Sequence, residues 1–198
     1  MVGLGNPGAR HDATRHNVGW WLVDVLRRHW SATPFQQEHL WLRAAADVSG
    51  IGEVWLVKPT VYMNRSGVAV RALAESESLD LQSDLLVVVD DVALEPGRPR
   101  FRARGSAGSH NGLQSVELAL GTRDYARLRI GVGAAPAGVD LADWVLSEFD
   151  DPAAEDAVLA VLPQLAEGVE LWAREGIDAA MNRYNVALGG PGATEVDG

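Results

Sequence analysis

Hydrophobic residues along the 198-residue chain follow two alternating patterns. Short apolar runs read as strands: Trp55-Leu56-Val57, Leu85 to Val89, and Leu128-Arg129-Ile130-Gly131-Val132. The second is continuously apolar, as in a strand covered on both faces. Between the runs the spacing lengthens to that of a helix. Val18, Trp21, Leu22, Val25 and Leu26 recur at i, i+3 and i+4, and Val68, Ala72 and Leu73 do so more weakly. Leu113 to Leu120 can form a short helix, and Pro152 to Trp172 a long one with proline in its first turn and an interruption at Pro163. This alternation predicts an α/β fold, a single domain over residues 1–188, with no internal repeat. Gly189-Gly190-Pro191-Gly192 opens a segment, 189–198, without apolar periodicity, and a disordered tail is expected there.

Composition then narrows the chemistry. The chain has no cysteine, which excludes a disulfide scaffold, a thiolate nucleophile, a zinc ribbon and an iron–sulfur site. No apolar run approaches the roughly 18 residues of a membrane span, so no membrane partner is expected. Met1-Val2-Gly3 shows neither the basic nor the apolar region of a secretory signal, and a cytoplasmic location is expected.

Charge changes the picture more. A formal net charge of -10 argues against a nucleic-acid partner, yet its distribution argues otherwise. Residues 1–97 carry 8 basic and 12 acidic side chains, residues 98–129 carry 7 and 2, and residues 130–198 carry 2 and 13. The middle segment is a basic island of net charge +5. Within it Arg98, Arg100, Arg102 and Arg104 alternate with other residues, and an extended strand would put all four on one face. At about 3.3 Å per residue, neighbours on that face stand roughly 6–7 Å apart, comparable to phosphates along a nucleic-acid strand. Two readings stand side by side: a stripe that tracks a phosphate backbone, and an edge strand protected by charge.

Several short motifs could carry chemistry. Gly3-Leu4-Gly5-Asn6-Pro7-Gly8 matches G-x-G-x-x-G, but the dinucleotide-binding form of that motif follows a strand and opens directly into a helix. Here only Met1 and Val2 precede it, and the next helical pattern starts near Val18. A glycine-rich turn presenting Asn6 fits better, with dinucleotide binding as an alternative. His16, in Thr14-Arg15-His16-Asn17, is a candidate general base. Asp90-Asp91 ends the apolar strand, where open α/β sheets place their sites, and can orient an imidazole. No serine has a G-x-S-x-G setting, so a base without a protein nucleophile points to an activated water. Asn17, Asn64 and Asn111 each precede a predicted helix and are economically read as N-caps. Alternatively, asparagine amides at strand-to-helix junctions converge on one site. Asp90, Asp91 and His110 or His16 could be imagined around a metal, but no D-x-D or H-E-x-x-H spacing supports one.

Together the motifs resemble the bacterial-type peptidyl-tRNA hydrolase family. The matching segments are Val2 to Gly8, Thr14 to Gly19, Lys58 to Gly67, Asp90-Asp91, Gly105 to Gly112 and Arg127 to Gly133, in an order that spans nearly the whole chain. The resemblance implies a single α/β domain with a central twisted, mixed sheet flanked by helices, acting as a monomer without metal or cofactor. It implies hydrolysis of the ester joining a peptide to tRNA, which recycles tRNA from aborted translation, with peptidyl-tRNA as partner. By the family pattern His16 is the general base and Asp90 orients it. Asn6 and Asn111 position water or substrate carbonyl, Asn64 and Met63 line the peptide channel, and Tyr62 and His110 stand in the same substrate-binding segments. Arg100, Arg102 and Arg129 occupy positions of phosphate-contacting residues, and Arg104 extends that stripe. A non-catalytic RNA-binding protein of the same fold is the alternative. The sequence departs from the family at Val92-Ala93, where D-D-L-D-L is usual, at Ser109, where glycine is usual, and at His11, where an aromatic residue is common.

Overall fold

The computed structural model describes residues 1–187, so the expected tail at 189–198 lies outside the described residues. Its strands are β1 (Val2–Gly3), β2 (Gln36–Gln37), β3 (Trp41–Val48), β4 (Gly52–Pro59), β5 (Leu86–Asp91), β6 (Pro99–Arg102) and β7 (Ala126–Gly131). Its helices are α1 (Val18–His29), α2 (Ser66–Ser76), α3 (Asn111–Leu120), α4 (Leu141–Val145), α5 (Pro152–Glu175) and α6 (Ile177–Ala187). Short 3₁₀ turns occupy Ala9–His11, Arg15–Asn17 and Met63–Arg65. The strands form one mixed sheet in the order β2-β3-β4-β1-β5-β7-β6. It is parallel through β4, β1, β5 and β7 and antiparallel at both margins. No helix among the described residues is long and apolar enough to cross a membrane.

The apolar run of β5 explains the layering. Leu86 and Val88 pack into one core with Val18, Leu22 and Leu26 of α1 and Val158, Leu162 and Leu165 of α5. Val87 and Val89 point the other way, against Ala69, Val70 and Leu73 of α2 and Leu113 and Val116 of α3. Each such side chain contributes roughly 1.5–3 kcal/mol on full burial, which makes β5 the natural centre of a sheet covered on both faces. β1 has only two residues, yet it lies between β4 and β5 and pairs with both.

The glycines beside β1 serve packing. A Cβ on Gly3 would collide with the Gly19 carbonyl, and one on Gly19 would lie 2.6 Å from the Leu4 carbonyl oxygen. Glycine at both positions lets α1 lie directly on β1. Two 3₁₀ turns separate the glycine-rich turn from α1, so no helix N-terminus follows it to hold a pyrophosphate.

Three sequence expectations need correction. α5 runs unbroken through Pro163. Pro163 and Leu159, four residues earlier, are both exposed, so the carbonyl that loses its partner faces water. The arginine stripe is shorter than the alternation suggested: β6 ends at Arg102, and Arg98 lies in the preceding turn. Charge is also not what closes the β6 edge, because the Asn185 side chain of α6 does so, accepting from Phe101 N–H at 2.7 Å and donating to the Phe101 carbonyl at 3.0 Å. β3 itself escapes periodicity, since Ala44-Ala45-Ala46 favours helix, yet eight residues pair with β4 across a hairpin.

Candidate active site

The carboxyl ends of the parallel strands bring the scattered motifs together. Asn6 follows β1, Met63 follows β4, and Asp90 closes β5. His16 sits in the 3₁₀ turn that enters α1, and His110 and Asn111 open α3. His16, Asp90 and Asn6 are all buried.

Asp90 is the hub. Its Oδ1 lies 2.7 Å from His16 Nδ1 and 2.9 Å from His110 Nε2, with the two rings 5.0 Å apart and tilted by 45°. Burial alone would raise the Asp90 carboxyl, but the two imidazoles and their hydrogen bonds outweigh it and hold the group well below the usual carboxylate range. An ionised carboxylate only accepts, so both rings donate to it. His16 therefore carries its proton on Nδ1, and its Nε2, with no partner among the described residues, is the atom that can take a proton. His110 is different. Its Nδ1 accepts the Leu113 N–H at 3.2 Å and caps α3, so its Nε2 must carry the proton given to Asp90. Both nitrogens of His110 are thus engaged within the protein, and it bears on the site through Asp90. The three groups lie within 4.8 Å of one another. A cation there would have to displace two N–H protons already held on Oδ1.

The asparagines are not caps. The Asn17 side chain accepts from Asn6 N–H at 2.8 Å and donates to the Asn6 carbonyl at 3.1 Å, fixing the glycine-rich turn. Asn6 Oδ1 accepts the Met63 N–H at 2.8 Å, which leaves its Nδ2 to donate into the site. Neither α1 nor α2 has a side-chain cap, and the exposed Asn64 and Asn111 side chains form no hydrogen bond among the described residues. The positioning role of Asn17 was hidden in the sequence because its position before a helix suggested the commoner function.

Two cavities meet at His16. The larger, about 570 Å³, is lined by Asp90, His110, Arg100, Arg102, Arg104 and Arg129, among others, but not by Arg98. Burial and neighbouring arginines push the Arg100 guanidinium down from its ordinary value, while its charge persists. Among the described residues, Arg100, Arg102 and Arg104 form no ion pair. Arg129 is instead engaged with Asp91 Oδ2 at 3.2 Å and with the Ser106 carbonyl at 2.8 Å. The smaller cavity, about 360 Å³, is lined by Asn6, Tyr62, Met63, Asn64, Val145 and Leu146, among others. Asn111, Ala142 and Val145 border both.

The partition between them is α4, which periodicity did not reveal because it has five residues. Asp140 caps it, accepting from Ala142 N–H at 2.8 Å. Arg15, next to His16 and only 1% exposed, fastens this segment. Its guanidinium lies 3.5 Å from the Trp144 ring, donates to Ser147 Oγ at 2.7 Å and reaches Asp150.

Comparison with known proteins agrees with this geometry. The family model described as peptidyl-tRNA hydrolase matches residues 1–191. A peptidyl-tRNA hydrolase from Symbiobacterium thermophilum is 49% identical over 191 residues, covering 93% of this chain and 97% of the relative. One from Chloroflexus aggregans is 46% identical over 186 residues, with 93% and 97% covered. The crystal structure of the peptidyl-tRNA hydrolase from Acinetobacter baumannii superposes with a TM-score of 0.86 at 28% identity, covering 93% of this chain and 92% of that one. The chain belongs to the peptidyl-tRNA hydrolase family.

Proposed function

We propose that the protein hydrolyses the ester joining a peptide to the terminal ribose of tRNA, acting as a monomer in the cytoplasm. One observation carries this reading: His16 stands where a cavity lined by several arginines meets one lined mainly by amides, a phenol and apolar side chains, with Arg10 as its one permanently charged residue. A substrate polyanionic on one side of its ester and peptidic on the other matches that division.

In the mechanism, His16 Nε2 takes a proton from water as its oxygen attacks the ester carbonyl. Asp90 stabilises the imidazolium, and the Asn6 and Asn111 amides donate to the developing oxyanion. Collapse breaks the bond to the ribose oxygen, which receives the proton from His16. An alkoxide leaves more readily than an amine, so one imidazole serves as base and then acid. Arg100, Arg102 and Arg104 bind backbone phosphates, and Arg129 holds the neighbouring loop at Ser106 and Ala107 in place. Tyr62, Met63 and Asn64 line the acyl side.

Purified protein is expected to cleave N-acetylaminoacyl-tRNA and largely spare free aminoacyl-tRNA. His16→Ala should retain tRNA affinity and lose about 10²- to 10⁴-fold in turnover. An intact acylated substrate with normal tRNA binding would favour a non-catalytic RNA-binding role.

A further inference from the structure

The smaller cavity has no acidic side chain among its lining residues and one permanently charged one, Arg10. Arg10 Nε–H donates to His11 Nε2 at 3.0 Å. Among the described residues the guanidinium forms no ion pair, and Asp12, the nearest acid along the chain, does not line the cavity. Accepting from Arg10 leaves His11 Nε2 unprotonated, so its neutral form carries the proton on Nδ1. Burial and then Arg10 push the His11 imidazole down from its ordinary range, against the opposing pull of Asp12. His11 therefore steers the arginine as a neutral arm and adds no second charge. Besides the His16 imidazole, the other polar groups around this space, Asn6, Asn64, Asn111 and Tyr62, are neutral amides and a phenol.

We propose that Arg10 is a specificity-determining residue for the acyl group, favouring negative charge on the residue nearest the ester and disfavouring positive charge there. The inference rests on the reading of the smaller cavity as the acyl side. No acidic side chain lines that cavity to offset the repulsion between Arg10 and a substrate cation, and an unpaired guanidinium offers two-pronged bonding to a carboxylate. Because Arg10 is exposed, solvent screens the effect, and it amounts to about three- to tenfold between opposite charges.

The test uses one tRNA body esterified with N-acetylglutamate, N-acetylalanine or N-acetyllysine, and compares kcat/KM values within each protein. The native protein is expected to prefer glutamyl over lysyl by about three- to tenfold, with alanyl between. Arg10→Gln should bring the glutamyl-to-lysyl ratio near one, and Arg10→Glu should invert it. Ratios within one protein cancel any general loss of folding or turnover. A native ratio near one, or variants that keep the native ratio, would overturn the proposal. So would an equal loss on all three substrates, which would make Arg10 a phosphate contact. Failure of the native protein to cleave any of the three would instead defeat the hydrolase reading on which the inference rests.

Discussion

The two cavities at His16 are held open by different means, and the difference matches what each must meet. Around the larger one, charge fixes the walls: Arg129 pairs with Asp91, and the buried Arg127 donates to the Gly105 and Arg123 carbonyls. Those arginines are engaged with the protein, while Arg100, Arg102 and Arg104 keep their charge for a ligand. Around the smaller one, neutral amides do the fixing, through the bonds of Asn17 to Asn6 and of Asn6 to Met63. What remains open there is an amide N–H, a thioether and a phenol, beside one arginine at its margin. A wall of unpaired cations acts at a distance and responds to salt, whereas a neutral wall acts by contact. The protein can therefore hold the constant polyanionic part of its substrate by charge and tolerate variation in the acyl part.

The sharpest way to break this comparison is to remove what both cavities share. Asp90→Asn keeps the volume of the side chain but removes the charge that stabilises the His16 imidazolium, and kcat should fall by about 10³- to 10⁴-fold. The loss should be similar for every acyl group, since the hub serves both sides. Stability offers a second readout. The folded carboxyl is held below its ordinary range, so its contribution is present above the unfolded value of about 3.9 and is lost as pH falls below it toward the folded value. Asp90→Asn should flatten this acid limb in unfolding curves recorded against pH. An unchanged kcat would remove Asp90 from the mechanism.

A smaller effect separates the cavities. Arg100→Gln combined with Arg102→Gln should raise KM by about ten- to a hundredfold at low salt, with little change in kcat. The slope of log affinity against log salt should become shallower by about 1.4 to 1.8, as for two lost phosphate contacts. Retention of the native slope would return both arginines to a structural role. Arg98→Gln, outside the cavity, should leave the slope close to native.

How much of this was legible in the sequence follows the range of the forces involved. The β5 run and the α1 and α3 patterns are local, so periodicity found them. Apolar spacing could not reveal β3, whose alanines favour helix until β4 pairs with them, or the five-residue α4, which depends on the Asp140 cap and the Arg15 clasp. At the site, chemistry picked out His16 and Asp90 because base and orienter are recognisable as residue types. The sharing of a single oxygen by His16 and His110 was not legible, since it depends on the α3 cap that fixes the His110 tautomer. The stripe was legible as a charge pattern, but which arginines are already paired depends on contacts such as Arg129 with Asp91, across adjacent strands.

The smallest effect tests the acyl side. Tyr62 is 53% exposed and lines the smaller cavity, so a peptide lying against it would cover its apolar ring. Covering about 40 Å² of ring gives about 1 kcal/mol, or roughly fivefold in affinity. Tyr62→Ala should lower kcat/KM by about that factor for tRNA carrying a peptide of three or more residues, and by less for a single N-acetylated residue. The salt slope should not move, because no charge is lost. A change of slope with no dependence on peptide length would place Tyr62 on the nucleic-acid side of His16 and dissolve the division between the cavities, whereas a length-dependent loss at constant slope would locate the boundary between charge and contact at His16 itself.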